Sequence, residues 1–162
     1  CAMLVIETAL AIRRDGVKVP WTSISAGLAQ AQGTGCFETV SVSPIVVMDS
    51  AKNAEESAML TLALDEVFGR EKLSSFYVCM PAEAYGTLDS FDKKEIEGVI
   101  TFGDIEKTQK IGNAFLVRVG ENISECAKET LSLIKEGKNV ICLGSVEFAN
   151  DIKTTLAKLM IV

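Results

Sequence analysis

The chain has 162 residues, nearly half of them hydrophobic, which suits one domain with a full core and room for a small appendage. Its net charge is −6, with lysine and arginine scattered rather than clustered, which argues against a nucleic-acid partner and against an anionic membrane surface. It has no histidine, which removes Ser-His-Asp and Cys-His nucleophilic catalysis and the commonest metal ligand, and leaves only a carboxylate-based metal site.

No apolar run approaches ~18 residues, so no spanning helix is expected. The first residues lack the pattern of a secretory signal. The five cysteines, Cys1, Cys36, Cys79, Cys126 and Cys142, are odd in number and show no metal-like spacing, which fits a reducing cytoplasm. Cys79 and Cys142 lie in apolar runs, where cysteine behaves as a small buried hydrophobe. The chain opens at Cys1 inside an apparent helix, as expected of a piece cut from something longer.

In chain order, Ala2 to Arg14 has helical spacing, with Leu4, Val5, Thr8, Ala9 and Ile12 on one side, and ends at Gly16. A second helix starts at Pro20-Trp21-Thr22-Ser23 and runs to about Gln30, with Ile24 and Leu28 inward. Gln32-Gly33-Thr34-Gly35 reads as a flexible joint. Phe37 to Val42 alternates and predicts a strand with one polar side, able to add to a sheet edge. Ser43-Pro44 turns the chain into Ile45-Val46-Val47-Met48, a run apolar at every position, which predicts a strand buried on both faces. A helix of about Glu55 to Phe68 follows, with Met59, Leu62, Ala63 and Val67 on its inner face. Gly69 marks its end.

Leu73 to Met80 predicts a strand stopped by Pro81. Ala82 to Glu95 is irregular or weakly helical. Gly98 to Phe102 and Ala114 to Val119 predict two short strands. A helix capped by Asn122 or Ser124 carries Ile123, Ala127, Leu131 and Ile134 inward, and Gly137 ends it. Asn139 to Leu143 is a further buried strand, halting at Gly144-Ser145. The last helix carries Ala149, Ile152, Leu156 and Leu159. This alternation predicts an α/β fold: a mostly parallel sheet with helices on both faces, preceded by a short helical segment.

The chemistry concentrates at two strand-to-helix turns. The first is Asp49-Ser50-Ala51-Lys52-Asn53. Asp49 is an acceptor at the strand tip, Lys52 a cation, and Asn53 a cap at a helix N-terminus that favours anions. The second is Gly144-Ser145, where glycine lets a ligand approach the backbone and serine offers a hydroxyl. In a parallel sheet both tips face the same end, where ligands bind. The plain alternative is two ordinary helix caps. A self-contained nucleotide grip is missing: Lys138 follows Gly137 but precedes a strand, and the Gly33–Gly35 pair stands before a strand rather than between a strand and a helix.

Gly35-Cys36-Phe37-Glu38, then Pro44 and an apolar strand, then Asp49-Ser50-Ala51-Lys52-Asn53, resembles the C-terminal domain of the Mur ligase superfamily. The folylpolyglutamate synthase (dihydrofolate synthase) branch is nearest, with Gly-Arg-Phe-Glu and Asp-Gly-Ala-His-Asn at those positions. Val140 to Ser145 is similar to that branch's last strand and turn. Ile24-Ser25-Ala26-Gly27-Leu28 is similar to the end of its central domain. The resemblance implies a Rossmann-like domain over residues 36–162, and a helical segment over 1–35 resembling the end of the central ATPase domain.

It also implies an ATP-dependent ligase of folate and one-carbon metabolism in the cytoplasm, which joins glutamate to a folate through an acyl phosphate. ATP and Mg2+ would be held mainly by the central ATPase domain, the partner of this one, with no cofactor firmly bound here and no catalytic residue in this chain. Asp49 and Lys52 would then face the nucleotide, and Asn53 and Ser145 the substrate. The isolated chain is expected to be inactive.

Three departures favour a second reading, a degenerate relative serving as a binding or scaffold module. The branch's arginine is Cys36, its histidine is Lys52, and a Lys-Asp turn is replaced by Pro81-Ala82-Glu83. A fixed two-pronged cation thus becomes a neutral thiol. An unrelated flavodoxin-like or receiver domain would need an acidic cluster or a phosphate loop early in the chain, and neither is there.

Overall fold

The structure is a computed structural model and describes residues 2–30 and 36–160. The Gln32–Gly35 joint, Gly35 of the family-like motif and the opening Cys1 lie outside the described residues, as do the side chains of Leu4 and Val5. The chain divides into two compact units, residues 1–33 and 34–162.

The first unit holds α1 (Ala2–Arg14) and α2 (Trp21–Gln30). The Arg13 guanidinium lies 5.3 Å from the centre of the Trp21 ring. Ile24 is buried and Leu28 half-buried, as the spacing of α2 predicts. The inner side of α1 differs from expectation. Thr8 and Ile12 are exposed, while Ile6, Ala9 and Leu10 are half-buried. The helix is apolar around much of its circumference, so two stripes satisfy the 3.6-residue period and periodicity alone does not choose between them.

In the second unit, six strands among the described residues form one sheet: β1 (Glu38–Val42), β2 (Ile45–Asp49), β3 (Phe76–Cys79), β4 (Ile96–Thr101), β5 (Val117–Val119) and β6 (Val140–Leu143). Their spatial order is β1-β2-β6-β3-β4-β5. β1 pairs antiparallel at the edge and every other neighbouring pair is parallel. The central strands are buried at every position except Asp49 at the tip of β2, and the two-residue pleat splits them between two cores. Val47, Val78, Val99 and Ile141 face one core, with Leu60 and Leu64 of α3 (Ala54–Phe68), the 3-10 helix Ala82–Ser90, and Ile111 of α4 (Ile105–Gly112). Val46, Met48, Cys79, Ile100, Val140 and Cys142 face the other, beneath α5 (Ile123–Lys135) and α6 (Val146–Met160). The inner faces expected for α5 and α6 pack there.

At the N-terminal rim Asn139 ties three strands together. Its Oδ1 accepts from the Ile45 N–H, and its Nδ2 donates to the Lys72 and Ser75 carbonyls.

Two expectations need correction. The inner face of α3 is Ser57, Leu60 and Leu64, not Met59, Leu62 and Val67, which are 68%, 63% and 59% exposed. Ser57 is tolerated in the core because its hydroxyl donates to the Thr87 carbonyl at 2.9 Å, so a polar residue marks the inner stripe and hides it from a hydrophobicity pattern. Secondly, α4 lies between β4 and β5, where the sequence suggests two successive strands. Its first turn is set by Asp104, whose Oδ1 accepts from the Glu106 and Lys107 N–H groups. Ile111 is the residue it buries, and Ile105 stays 75% exposed. The stretch after Pro81 is a 3-10 helix, within the weakly helical expectation.

Candidate functional site

The strand order makes a switch point at β6. The helix after β2 covers one face of the sheet, the helix after β6 covers the other, and the 3-10 helix after β3 returns to the first. Loops on either side of β6 therefore part at its C-terminal end and leave crevices, the position where ligands bind in open parallel sheets. Asp49 of β2 is the register partner of Leu143 of β6, so the two polar turns read from the sequence lie on one rim.

Each candidate residue has a definite local role. The Asp49 carboxylate bridges two backbone groups: Oδ2 accepts from Phe37 N–H at 2.7 Å and Oδ1 from Ala51 N–H at 2.8 Å. It thereby pins the start of β1 to the tip of β2. Phe37 holds a left-handed φ of 46°, and its ring stacks with Phe68 at 6.3 Å. Burial pushes the Asp49 carboxyl above its ordinary value, the two N–H groups pull it back, and the Glu56 charge adds to the rise. Asn53 caps α3, accepting from Glu56 N–H at 2.9 Å. Lys52 is exposed on the same turn, and its backbone N–H donates to Glu56 Oε2 at 3.0 Å. Ser145 Oγ accepts from Phe148 N–H at 3.2 Å and opens α6. Cys36, at the position where the resemblance expects arginine, is exposed with its Sγ 3.8 Å from Ser50 Oγ.

Two hollows flank the β6 tip. The smaller, ≈ 230 Å³, lies between the β2 and β6 turns and is lined by Lys52, Glu56, Ser145 and Glu147 among others. The larger, ≈ 420 Å³, lies between the β6 and β3 turns and is lined by Lys52, Glu83, Ser145 and Asp151 against walls of Phe102 and Phe148. Lys52 and Ser145 line both, whereas Asp49 and Asn53 line neither. Gly144 makes the larger hollow possible. At its φ of 153° a Cβ would meet Phe148 Cδ1 and Pro81 Cδ, each at 2.9 Å. Gly103 similarly lets the Glu83 carboxylate lie against the β4 tip, where a Cβ would come within 3.1 Å of Oε1.

The Glu147 carboxyl is held below its ordinary value by its own backbone N–H, then by the Ser145 hydroxyl, with the Lys52 charge adding to the effect. Glu83, Asp151, Phe102 and Phe148 are the cleft residues that sequence reasoning missed. Glu83 was visible as part of the turn after Pro81, but Asp151 lies more than a turn inside α6 and carries no local signal.

A mostly parallel sheet with two polar turns on its switch-point rim defines an α/β domain with a candidate ligand site at that rim. More specifically, the chain has the fold of a Mur ligase C-terminal domain. It is similar to E. coli FolC in complex with ADP (TM-score 0.72, 19% identity, 94% of this chain and 38% of that one). It is similar to Mycobacterium tuberculosis folylpolyglutamate synthase complexed with ADP and AMPPCP (TM-score 0.65, 19% identity, 87% and 36%). A pseudomurein peptide ligase type C from Methanothermus fervidus shares the fold at 12% identity (TM-score 0.60, 96% and 35%). The chain thus spans little more than a third of the length of these proteins. No family model and no curated protein matches the sequence. Among the described residues no helix is long and apolar enough to cross a membrane.

Proposed function

We propose that this chain is the C-terminal part of an ATP-dependent, folylpolyglutamate-synthase-like ligase, with residues 1–35 the end of the central ATPase domain and residues 36–162 the lid that closes over it. In such an enzyme the γ-phosphoryl of ATP passes to a folate carboxylate, giving an acyl phosphate and ADP. The amine of an incoming amino acid, glutamate in that family, attacks the acyl carbon, phosphate leaves, and the amide forms with loss of a proton. The single observation that carries the reading is the switch-point rim, which brings the Asp49–Asn53 and Gly144–Ser145 turns to one end of the sheet in this fold.

On this reading Asp49 and Lys52 face the nucleotide, and Asn53 and Ser145 border the amino acid. This rim does not by itself fit a polyphosphate. Lys52 is the one cation among the described residues lining the two hollows, against Glu56, Glu83, Glu147 and Asp151. The phosphates and Mg2+ are therefore assigned to the central domain, and the isolated chain binds neither firmly and catalyses nothing. The free thiols among the described residues suit a reducing cytoplasm.

A second reading, a non-catalytic binding or scaffold module, draws on Cys36, which offers a thiol where the family has a guanidinium. One experiment separates the two. Glutamate-dependent ADP release is measured in the full-length protein, with and without Cys36→Arg and Lys52→His. The ligase reading expects release, increased by the double replacement, and none from the chain alone. No release from any full-length form favours the binding module.

A further inference from the structure

α3 is apolar on two sides, and only one of them faces the core. Ser57, Leu60 and Leu64 point inward, while Met59, Leu62 and Val67 stand more than half exposed on the other side. A helix apolar all round is ordinarily buried all round. At about 100° per residue, Met59, Leu62, Ala63 and Val67 form one band, and Glu55 and Glu66 continue it at either end. The helix carries four carboxylates, Glu55, Glu56, Asp65 and Glu66, and no cation. Among the described residues, Glu55, Asp65 and Glu66 make no ion pair. Arg70, just past the helix, pairs with Glu95 at 3.7 Å instead. The band is therefore both apolar and unneutralised.

We propose that the outer face of α3 docks an amphipathic helix of a separate protein, apolar on one side and flanked there by lysine or arginine. The surface lies outside the ligase chemistry and does not rest on that reading. Apolar anchors one turn apart suit a helix laid alongside, and the unbranched thioether of Met59 adapts to the shape of a partner. The carboxylates set the sign of the partner's flanks, since opposite charges guide docking and like charges oppose it. A second copy of this chain fits worse. Two α3 faces brought together set four carboxylates against four, and three exposed side chains fall far short of the ~800 Å² per partner that a stable dimer buries. An anionic membrane surface is repelled by the same charges.

The test uses the full-length protein and a fluorescent leucine–lysine peptide of about five helical turns, roughly 18 residues, with leucine at helical spacing. Its leucine–glutamate counterpart is the control, and binding is read by fluorescence anisotropy. The lysine peptide is expected to bind about tenfold more tightly than the glutamate peptide. Met59→Ser with Leu62→Ser weakens it about tenfold. Glu55→Gln with Glu66→Gln weakens it about fivefold and lessens the loss caused by added salt. All four side chains are exposed, so both variants fold, which thermal melts check. Limited peroxide oxidation read by mass spectrometry localises the contact. Met59 of the free protein oxidises well before the buried Met48 and Met80, and the lysine peptide shields it. Unchanged affinity in the Met59 and Leu62 variant, or equal binding of the glutamate peptide, overturns the proposal. So does a Met59 already shielded in the free protein: at every concentration, the rest of its own polypeptide covers the face, and only at high concentration, a second copy does.

Discussion

Removing the Asp49 carboxylate tests whether this residue holds the rim together. Asp49→Ala leaves two backbone donors without their acceptor: the N–H of Phe37, which is half-buried, and that of Ala51, which is 1% exposed. A buried donor that loses its partner costs about 1–3 kcal/mol. Against this stands the relief of removing a half-buried charge, since burial is the largest influence on the Asp49 carboxyl. The net expectation at neutral pH is a loss of about 3 kcal/mol for Asp49→Ala and about 1–2 kcal/mol for Asp49→Asn, which keeps one acceptor oxygen.

The pH dependence has a definite sign. The folded value lies above the ordinary 3.8, so the native state holds the proton more tightly than the unfolded chain. This group's contribution is fully present below the unfolded value and is lost as pH rises through the folded one. The stability gap between wild type and Asp49→Asn should therefore narrow as pH rises above about 4. Urea unfolding followed by far-UV circular dichroism measures both quantities. An Asp49→Ala chain within about 0.5 kcal/mol of wild type, or a gap that widens with rising pH, would refute the reasoning.

The corrected face of α3 makes a paired prediction: Leu60→Ala should cost about 2–4 kcal/mol, whereas Leu62→Ala, at a position 63% exposed, should stay within about 0.5 kcal/mol. Equal losses in chemical denaturation would restore the stripe read from the sequence. Gly144→Ala should destabilise by about 2–3 kcal/mol and weaken amino-acid binding at the cleft, because its Cβ meets both Phe148 and Pro81 and its φ is one that L residues rarely adopt. A thermal melt unchanged by that substitution would mean that the close approach at the β6 tip is not needed.

The two buried strands, β2 and β6, were legible because Ile45 to Met48 and Val140 to Leu143 are apolar at every position, as a sheet covered on both faces requires. The switch point was partly legible, since each strand visibly ends in a polar turn. What the sequence left undecided is which side of a doubly apolar helix faces inward. In α3 the choice fell to Ser57, whose hydroxyl meets a carbonyl 30 residues away, a partner that no local pattern reveals. The short α4 escaped notice because it spans only eight residues and buries a single isoleucine.

The amino-acid sequence by itself determined the α/β class, the edge position open to the first strand, and the two turns that carry Asp49, Lys52, Asn53 and Ser145, because burial on both faces and helix capping are written in adjacent residues. Tertiary structure alone decided that Asp49 spends its carboxylate on Phe37 and Ala51, and that Glu83, Asp151 and Lys52 line one hollow. Those residues come from three separate loops and helices, and the crossing order of the strands brings them together.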